Sequence, residues 1–204
     1  MAHALNLPTK IKEAVTIAAN GGVRHHDIGK FNVDQYFSYV ASFGAFTKVA
    51  YTTPQLLKNL IGRIAYIFNS ILSISDIHTH TVTVVADGKE ITGDFIYGSV
   101  SNSTIIGGVV KFQESEIIFD DGMFEVLLIK NPQNAGQLRN IIDGLLHYNY
   151  DEKYVYFFKA NKIAFSFQNT TEWTIDGEYA GTLDSVFIET LEHKAQVITT
   201  PNTA

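Results

Sequence analysis

Two carboxylates flanking one glycine, Asp176 and Glu178 in WTIDGEYAG (173–181), are residues whose types and spacing could do chemistry. On an extended strand, positions i and i+2 share a face. One acid could then accept a proton while the other positions a neighbour or a metal ion. An Asp-Gly step between strand-like runs is equally an ordinary hairpin turn, and residue types alone leave both readings open. A second candidate is the adjacent pair Asp120 and Asp121 before Gly122 in FDDGMF. Neighbouring carboxylates in one turn repel unless a cation or hydrogen-bond donors compensate, and a hard cation such as Mg2+ would do so. His78 and His80 share a strand face, but no third ligand is identifiable for a metal.

The chain that must position these groups has 204 residues, 46% of them hydrophobic, enough to bury a substantial core. Its 21 acidic against 15 basic residues give a net charge of −6, and no segment concentrates Lys and Arg. That excludes nucleic acid as an expected partner, because phosphate binding draws on clustered positive charge, and it excludes a polybasic membrane anchor. There are no cysteines, so disulfides and thiolate metal sites are ruled out. The start, MAHALNLPTKIKEAV, lacks a signal-peptide pattern. The longest apolar stretch, LLKNLIGRIAYIFNSILSI, is interrupted by Lys58, Arg63 and Asn69, which reads as an amphipathic helix and not as a membrane span. A cytoplasmic location is the default expectation.

Apolar spacing predicts helices over 9–20, with Thr9 at the cap, over 54–73 behind Pro54, and over 134–146. Most of the remainder alternates with period two and is rich in Val, Ile, Phe, Tyr and Thr. Hairpins are expected around Asp87-Gly88, Asp121-Gly122 and Ala160-Asn161, with last strands in WTIDGEYAGTLDSVFIETLEH. The fold class is therefore mainly β with attached helices (α+β), a β-sandwich or partly closed barrel.

Five stretches, in order, resemble the bacterial soluble diacylglycerol kinases and related lipid kinases: DIGKFN (27–32), YFSYVASFGAFTKVAYTTPQLLKNLIGRIAY (36–66), GDFIYGSVSNSTIIGG (93–108), FDDGMFEVLLI (119–129) and IDGEYAG (175–181). The resemblance implies a two-lobe plan shared with NAD kinases, of which this chain looks like the C-terminal β-sandwich lobe alone, since no GGDGT motif appears. It divides the chain into a helical linker at 1–24, a lipid-binding lobe at 25–196 and a polar tail at 197–204. It implies an ATP-dependent transferase that phosphorylates diacylglycerol to phosphatidic acid in phospholipid metabolism, inactive without its nucleotide lobe. Asp176 and Glu178 then match the region of the catalytic base, with Asp176 preferred. Asp121 would bind Mg2+ through its carboxylate, with Ile118 and Met123 giving backbone carbonyls. Asn102 matches a polar position at the interlobe cleft. The implied partners are ATP, a diacylglycerol-type lipid and, transiently, the inner membrane surface; formation of a homodimer is left open. The sequence departs from many relatives after Gly44, where Ala45 and Phe46 stand instead of an acid. The alternatives are a non-catalytic lipid- or carbohydrate-binding β-sandwich module, and a kinase acting on sphingoid bases or on NAD.

Overall fold

The computed structural model describes residues 7–45, 78–106, 110–113 and 117–200. The expected helix over 54–73 lies outside them. The elements are α1 (Ile11–Asn20), β1 (Gly22–Phe31), β2 (Gln35–Phe37), β3 (Val40–Gly44), β4 (His80–Ala86), β5 (Lys89–Ser101), β6 (Ile105–Ile106), β7 (Val110–Lys111), β8 (Phe124–Lys130), α2 (Ala135–His147), β9 (Val155–Ala160), β10 (Lys162–Ile175) and β11 (Glu178–Thr199). The chain is thus mainly β with attached helices. The sheet takes in residues on both sides of 25 and of 196, because β1 starts at Gly22 and β11 runs to Thr199.

Turn chemistry sets the hairpins. Asp176 and Gly177 have φ of 49° and 92°, and Asp87 and Gly88 have 46° and 85°. Two successive left-handed residues match the right-handed twist of the flanking strands, so β10 turns into β11 and β4 into β5 as the sequence predicts. The Asp87 carboxylate also accepts from the Asn161 and Lys162 amides, each at 2.9 Å, and so fixes the β9–β10 turn. The helices sit close to expectation. Asn134 caps α2 by accepting from the Gln137 amide at 2.9 Å. Helix α1 begins at Ile11, with Lys10 at its cap and no side-chain capping bond, so Thr9 does not take that role.

One nine-stranded antiparallel sheet, in the order β2-β1-β11-β10-β3-β5-β8-β9, organises the described residues. Strands β3 and β4 share the slot between β10 and β5. Residues 173–175 and 97–101 flank β3, while 163–167 and 89–95 flank β4. The sheet curls until β2, at one end, meets β8, the strand next to the other end, for Phe37 lies 5.5 Å from Phe124, ring centre to ring centre. Gly29 permits that closure. A Cβ there would run into the Phe37 ring and come within 2.8 Å of Phe124. Inside the curl Trp173, Phe31, Phe43 and Phe165 are fully buried and pack edge-on or tilted, and such pairs contribute about 0.5–1.5 kcal/mol each beyond area burial. A second core lies on the other side of β5 and β8, where Ile141 and Leu145 of α2 join Ile96, Leu127 and Ile129.

A strand is expected before Asp121, but the described residues there, 117–120, form none. Residues 117–123 form a loop whose backbone bonds go to distant segments: the Phe119 carbonyl accepts from the Asp27 amide at 2.9 Å. We predict that Gly29→Ala lowers stability by about 1–3 kcal/mol, as overpacking does. A thermal midpoint equal to that of the unaltered chain would contradict closure through Phe37 and Phe124.

Candidate functional site

The hairpin that carries Asp176 and Glu178 is held by Asp176 itself. Its Oδ1 accepts from the amides of Tyr39 (2.9 Å) and Val40 (3.0 Å), and its Oδ2 from the Ser38 amide (2.9 Å) and hydroxyl (3.2 Å). The Asp176 amide donates back to the Val40 carbonyl at 2.8 Å. Four donors occupy the lone pairs that a proton acceptor needs. Glu178, on the exposed far side of the turn, pairs through its backbone with Ile175. Its carboxylate meets no side chain in any hydrogen bond or ion pair among the described residues. The two acids therefore divide the tasks that the sequence left open, one turning the chain and the other facing solvent.

From the segment that Asp176 grips, one hydrogen-bonded network reaches the other candidates. Asn102, 2% exposed, receives its place from its own amide, which donates to the Tyr39 carbonyl at 3.1 Å. Its side-chain Nδ2 donates to the carbonyls of Phe119 (3.0 Å) and Asp27 (3.3 Å). His26 Nε2 lies 3.0 Å from the Ser38 carbonyl. At the centre stands Asp27, fully buried, whose Oδ2 accepts from the Gly122 amide and whose Oδ1 accepts from the His193 amide, each at 2.7 Å. His193 has φ 55° and lies where the β1–β11 register slips, so Asp27 holds both an irregularity of β11 and the loop before β8. Sequence reasoning missed Asp27. The available signal was an acid inside an otherwise strand-like run.

The third candidate group lies on that loop. Ile118 has a half-exposed side chain, Met123 is partly buried, and Asp121 is engaged through both oxygens. Its Oδ2 is 2.7 Å from Lys159 Nζ, and its Oδ1 accepts from the Met123 amide at 3.1 Å. Magnesium needs near-octahedral oxygen ligands at about 2.0–2.1 Å. No group of three or more His, Asp or Glu among the described residues could hold a metal. A carboxylate already closed by an ammonium does not fit that ion. His78 is exposed, while His80 is half-buried against Phe43 with Nδ1 3.0 Å from Thr171 Oγ1; burial lowers its pKa.

Beneath the loop, Glu125 is fully buried and neither carboxyl oxygen has a hydrogen bond. Burial pushes its pKa from 4.5 up to about 8, against the opposing pull of Lys159 at 3.6 Å. Burial wins over an ammonium at that distance because the closer Asp121 claims it. Folding then takes up a proton between pH 4.5 and about 8.

No family model matches the chain. It is 28% identical over 193 residues to a diacylglycerol kinase of Bacillus subtilis, covering 94% of this chain and 63% of that protein. It is 27% identical to a diacylglycerol kinase of Staphylococcus saprophyticus, covering 94% and 62%. The chain is similar to bacterial diacylglycerol kinases. It spans less than two thirds of the length of these curated relatives. Its fold matches a crystal structure of a candidate diacylglycerol kinase from Bacillus anthracis, with a TM-score of 0.77, 23% identity and coverage of 100% of this chain and 67% of that one. A second structure, of a diacylglycerol kinase from the same organism, gives a TM-score of 0.69 at 20% identity, covering 100% and 64%. The resemblance carried by the five stretches thus extends over 94% of the chain as a similarity in sequence. No helix among the described residues is long and apolar enough to cross a membrane.

Two measurements check the site. Asp27→Asn replaces an acceptor oxygen by an amide facing a backbone N–H, and we expect a loss of about 1.5–3 kcal/mol, the range for hydrogen bonds to charged groups. A denaturation midpoint unchanged from the parent would remove Asp27 from the centre of the network. For Glu125 the folded pKa lies above the unfolded one, so its contribution to stability is complete below pH 4.5 and is lost as pH rises toward about 8. Glu125→Gln should flatten the melting temperature across that window; a slope equal to the parent's would contradict the assignment.

Proposed function

We propose that the chain is the acceptor-binding and base-carrying part of an ATP-dependent lipid kinase that converts diacylglycerol to phosphatidic acid. The observation that supports this most directly is the division of labour at the 175–181 hairpin: Asp176 locks the turn to residues 38–40, and Glu178 leaves it with an uncommitted carboxylate. An alcohol does not ionise at neutral pH, so its proton must leave as the bond to phosphorus forms. In this reading the free lipid hydroxyl attacks the γ-phosphorus of ATP, the bond from that phosphorus to the bridging β–γ oxygen breaks, ADP departs, and Glu178 takes the hydroxyl proton. A magnesium ion bound to the nucleotide would neutralise phosphate charge.

Positioning is the larger part of phosphoryl-transfer catalysis. A turn fixed by four hydrogen bonds holds the base where thermal motion does not blur its reach. Asp176 is thus a positioning residue, and Asn102 joins the same backbone to the 117–123 loop. The apolar strand faces inside the curl are occupied by their own packing, with Phe43, Phe165 and Trp173 at 0–1% exposure. The reading therefore places the acyl chains outside both cores. Tyr179, next to Glu178 and 61% exposed, offers an aromatic surface there, suited to transient contact with a bilayer.

The rival reading, a binding module without catalysis, is favoured by the fully engaged Asp176, which a turn alone explains. The complete enzyme, assayed with labelled ATP and diacylglycerol, separates them. Glu178→Gln should lower kcat about 10²–10⁴-fold, the usual worth of general-base catalysis, with an unchanged melting temperature. Asp176→Asn should lower stability and turnover together. Near-parental turnover in Glu178→Gln would remove that residue as the base, and absence of any lipid phosphorylation by the complete polypeptide would favour the module.

A further inference from the structure

The 117–123 loop is clamped from the side by one strand end. Lys159, near the end of β9, places Nζ 2.7 Å from Asp121 Oδ2 and 3.6 Å from Glu125 Oε1. Two residues later, in the β9–β10 turn, Asn161 Nδ2 donates to the Gly122 carbonyl at 2.7 Å. Neither contact is a loose surface encounter. The ladder pairs Glu125 with Lys159 and Phe124 with Ala160, so the register of β8 on β9 delivers the ammonium to the loop. The Lys159 and Asp121 side chains are only 29% and 22% exposed, which weakens solvent screening of their attraction.

We propose that the Lys159 ammonium is the resident cation of this corner, doing for Asp121 what the family resemblance assigns to magnesium, so that the loop is ordered without a divalent ion. The donor set favours this. Asp121 Oδ1 is oriented by the Met123 amide, the Asp120 carbonyl lies 3.0 Å from His193 Nε2, and the Gly122 carbonyl is taken by Asn161. Of the Asp121 carboxylate, Oδ2 is the oxygen turned to a cation, and Lys159 holds it. A magnesium ion at about 2.1 Å from that oxygen would stand against the ammonium, and two cations at such range repel strongly where solvent is partly excluded. One cation must leave. The lysine is tethered to a paired strand and magnesium is not.

Mn2+ as a paramagnetic stand-in for magnesium gives the test, read as amide line broadening in the unaltered chain. The proposal predicts no selective broadening at Gly122, Met123 and Phe124 with millimolar Mn2+, and a melting temperature that is the same in EDTA and in millimolar Mg2+. Selective broadening there, abolished in Asp121→Asn, would overturn it. Lys159→Gln should melt roughly 5 °C or more below the parent, since it strands a shielded carboxylate, whereas Lys159→Arg should recover most of that loss. A Lys159→Gln chain that melts with the parent would equally overturn the proposal. Should Lys159→Gln not fold, the Mn2+ measurement on the unaltered chain still decides.

Discussion

Buried and turn amides must find acceptors, and at one corner of this molecule aspartate carboxylates supply them. A backbone N–H removed from water without a partner costs about 1–3 kcal/mol, and the corner gathers such groups from residues 38–40, 122 and 193. Asp176 answers three of them and Asp27 two. Because those amides lie more than 90 residues from the acids that bind them, each bond is a tertiary constraint. Asn102 then ties the halves together by donating to Phe119 and Asp27 while its own amide binds Tyr39. Acids that look like chemistry in sequence are, for the most part, the mortar between turns.

That constraint shapes what surrounds it. Backbone groups of 119–122 are committed to Asp27, Asn102, Asn161 and His193, so the chain ahead of β8 cannot extend the sheet and forms a loop. Strand β8 then enters between two apolar layers, buried on both faces from Phe124 to Ile129. Glu125 is the one charged residue in its fully buried run, Phe124–Ile129, and the β9 register brings Lys159 beside it. The corner thus joins a rigid interior to an exposed hairpin. Glu178, past the end of that framework, is exposed, and no hydrogen bond or ion pair to its carboxylate occurs among the described residues.

Much of the fold was legible because local rules decided it. Asp-Gly with left-handed geometry dictates tight hairpins, so the turns at Asp87 and Asp176 followed from sequence, and Asn134 marks the start of α2. The mainly β architecture followed from period-two alternation, although β8 and the end of β5 lose that alternation by being buried on both sides. The five ordered stretches pointed to the diacylglycerol kinases, to which the chain is similar. What could not be read was partnership. Whether Asp176 or Glu178 is engaged depends on residues 38–40, and the engagement of Asp121 depends on the β8–β9 register. Asp27 looked like one residue of a strand, because nothing local shows that β11 slips its register opposite it.

The claim that this corner is built by aspartate-bound amides is tested most directly by native-state amide hydrogen exchange. The amides of Ser38, Tyr39, Val40, Gly122 and His193 should exchange as slowly as neighbouring sheet amides, although all but Val40 lie in turns, loops or an irregular strand position. Exchange at the rate of freely solvated turns, with the sheet still protected, would contradict the account.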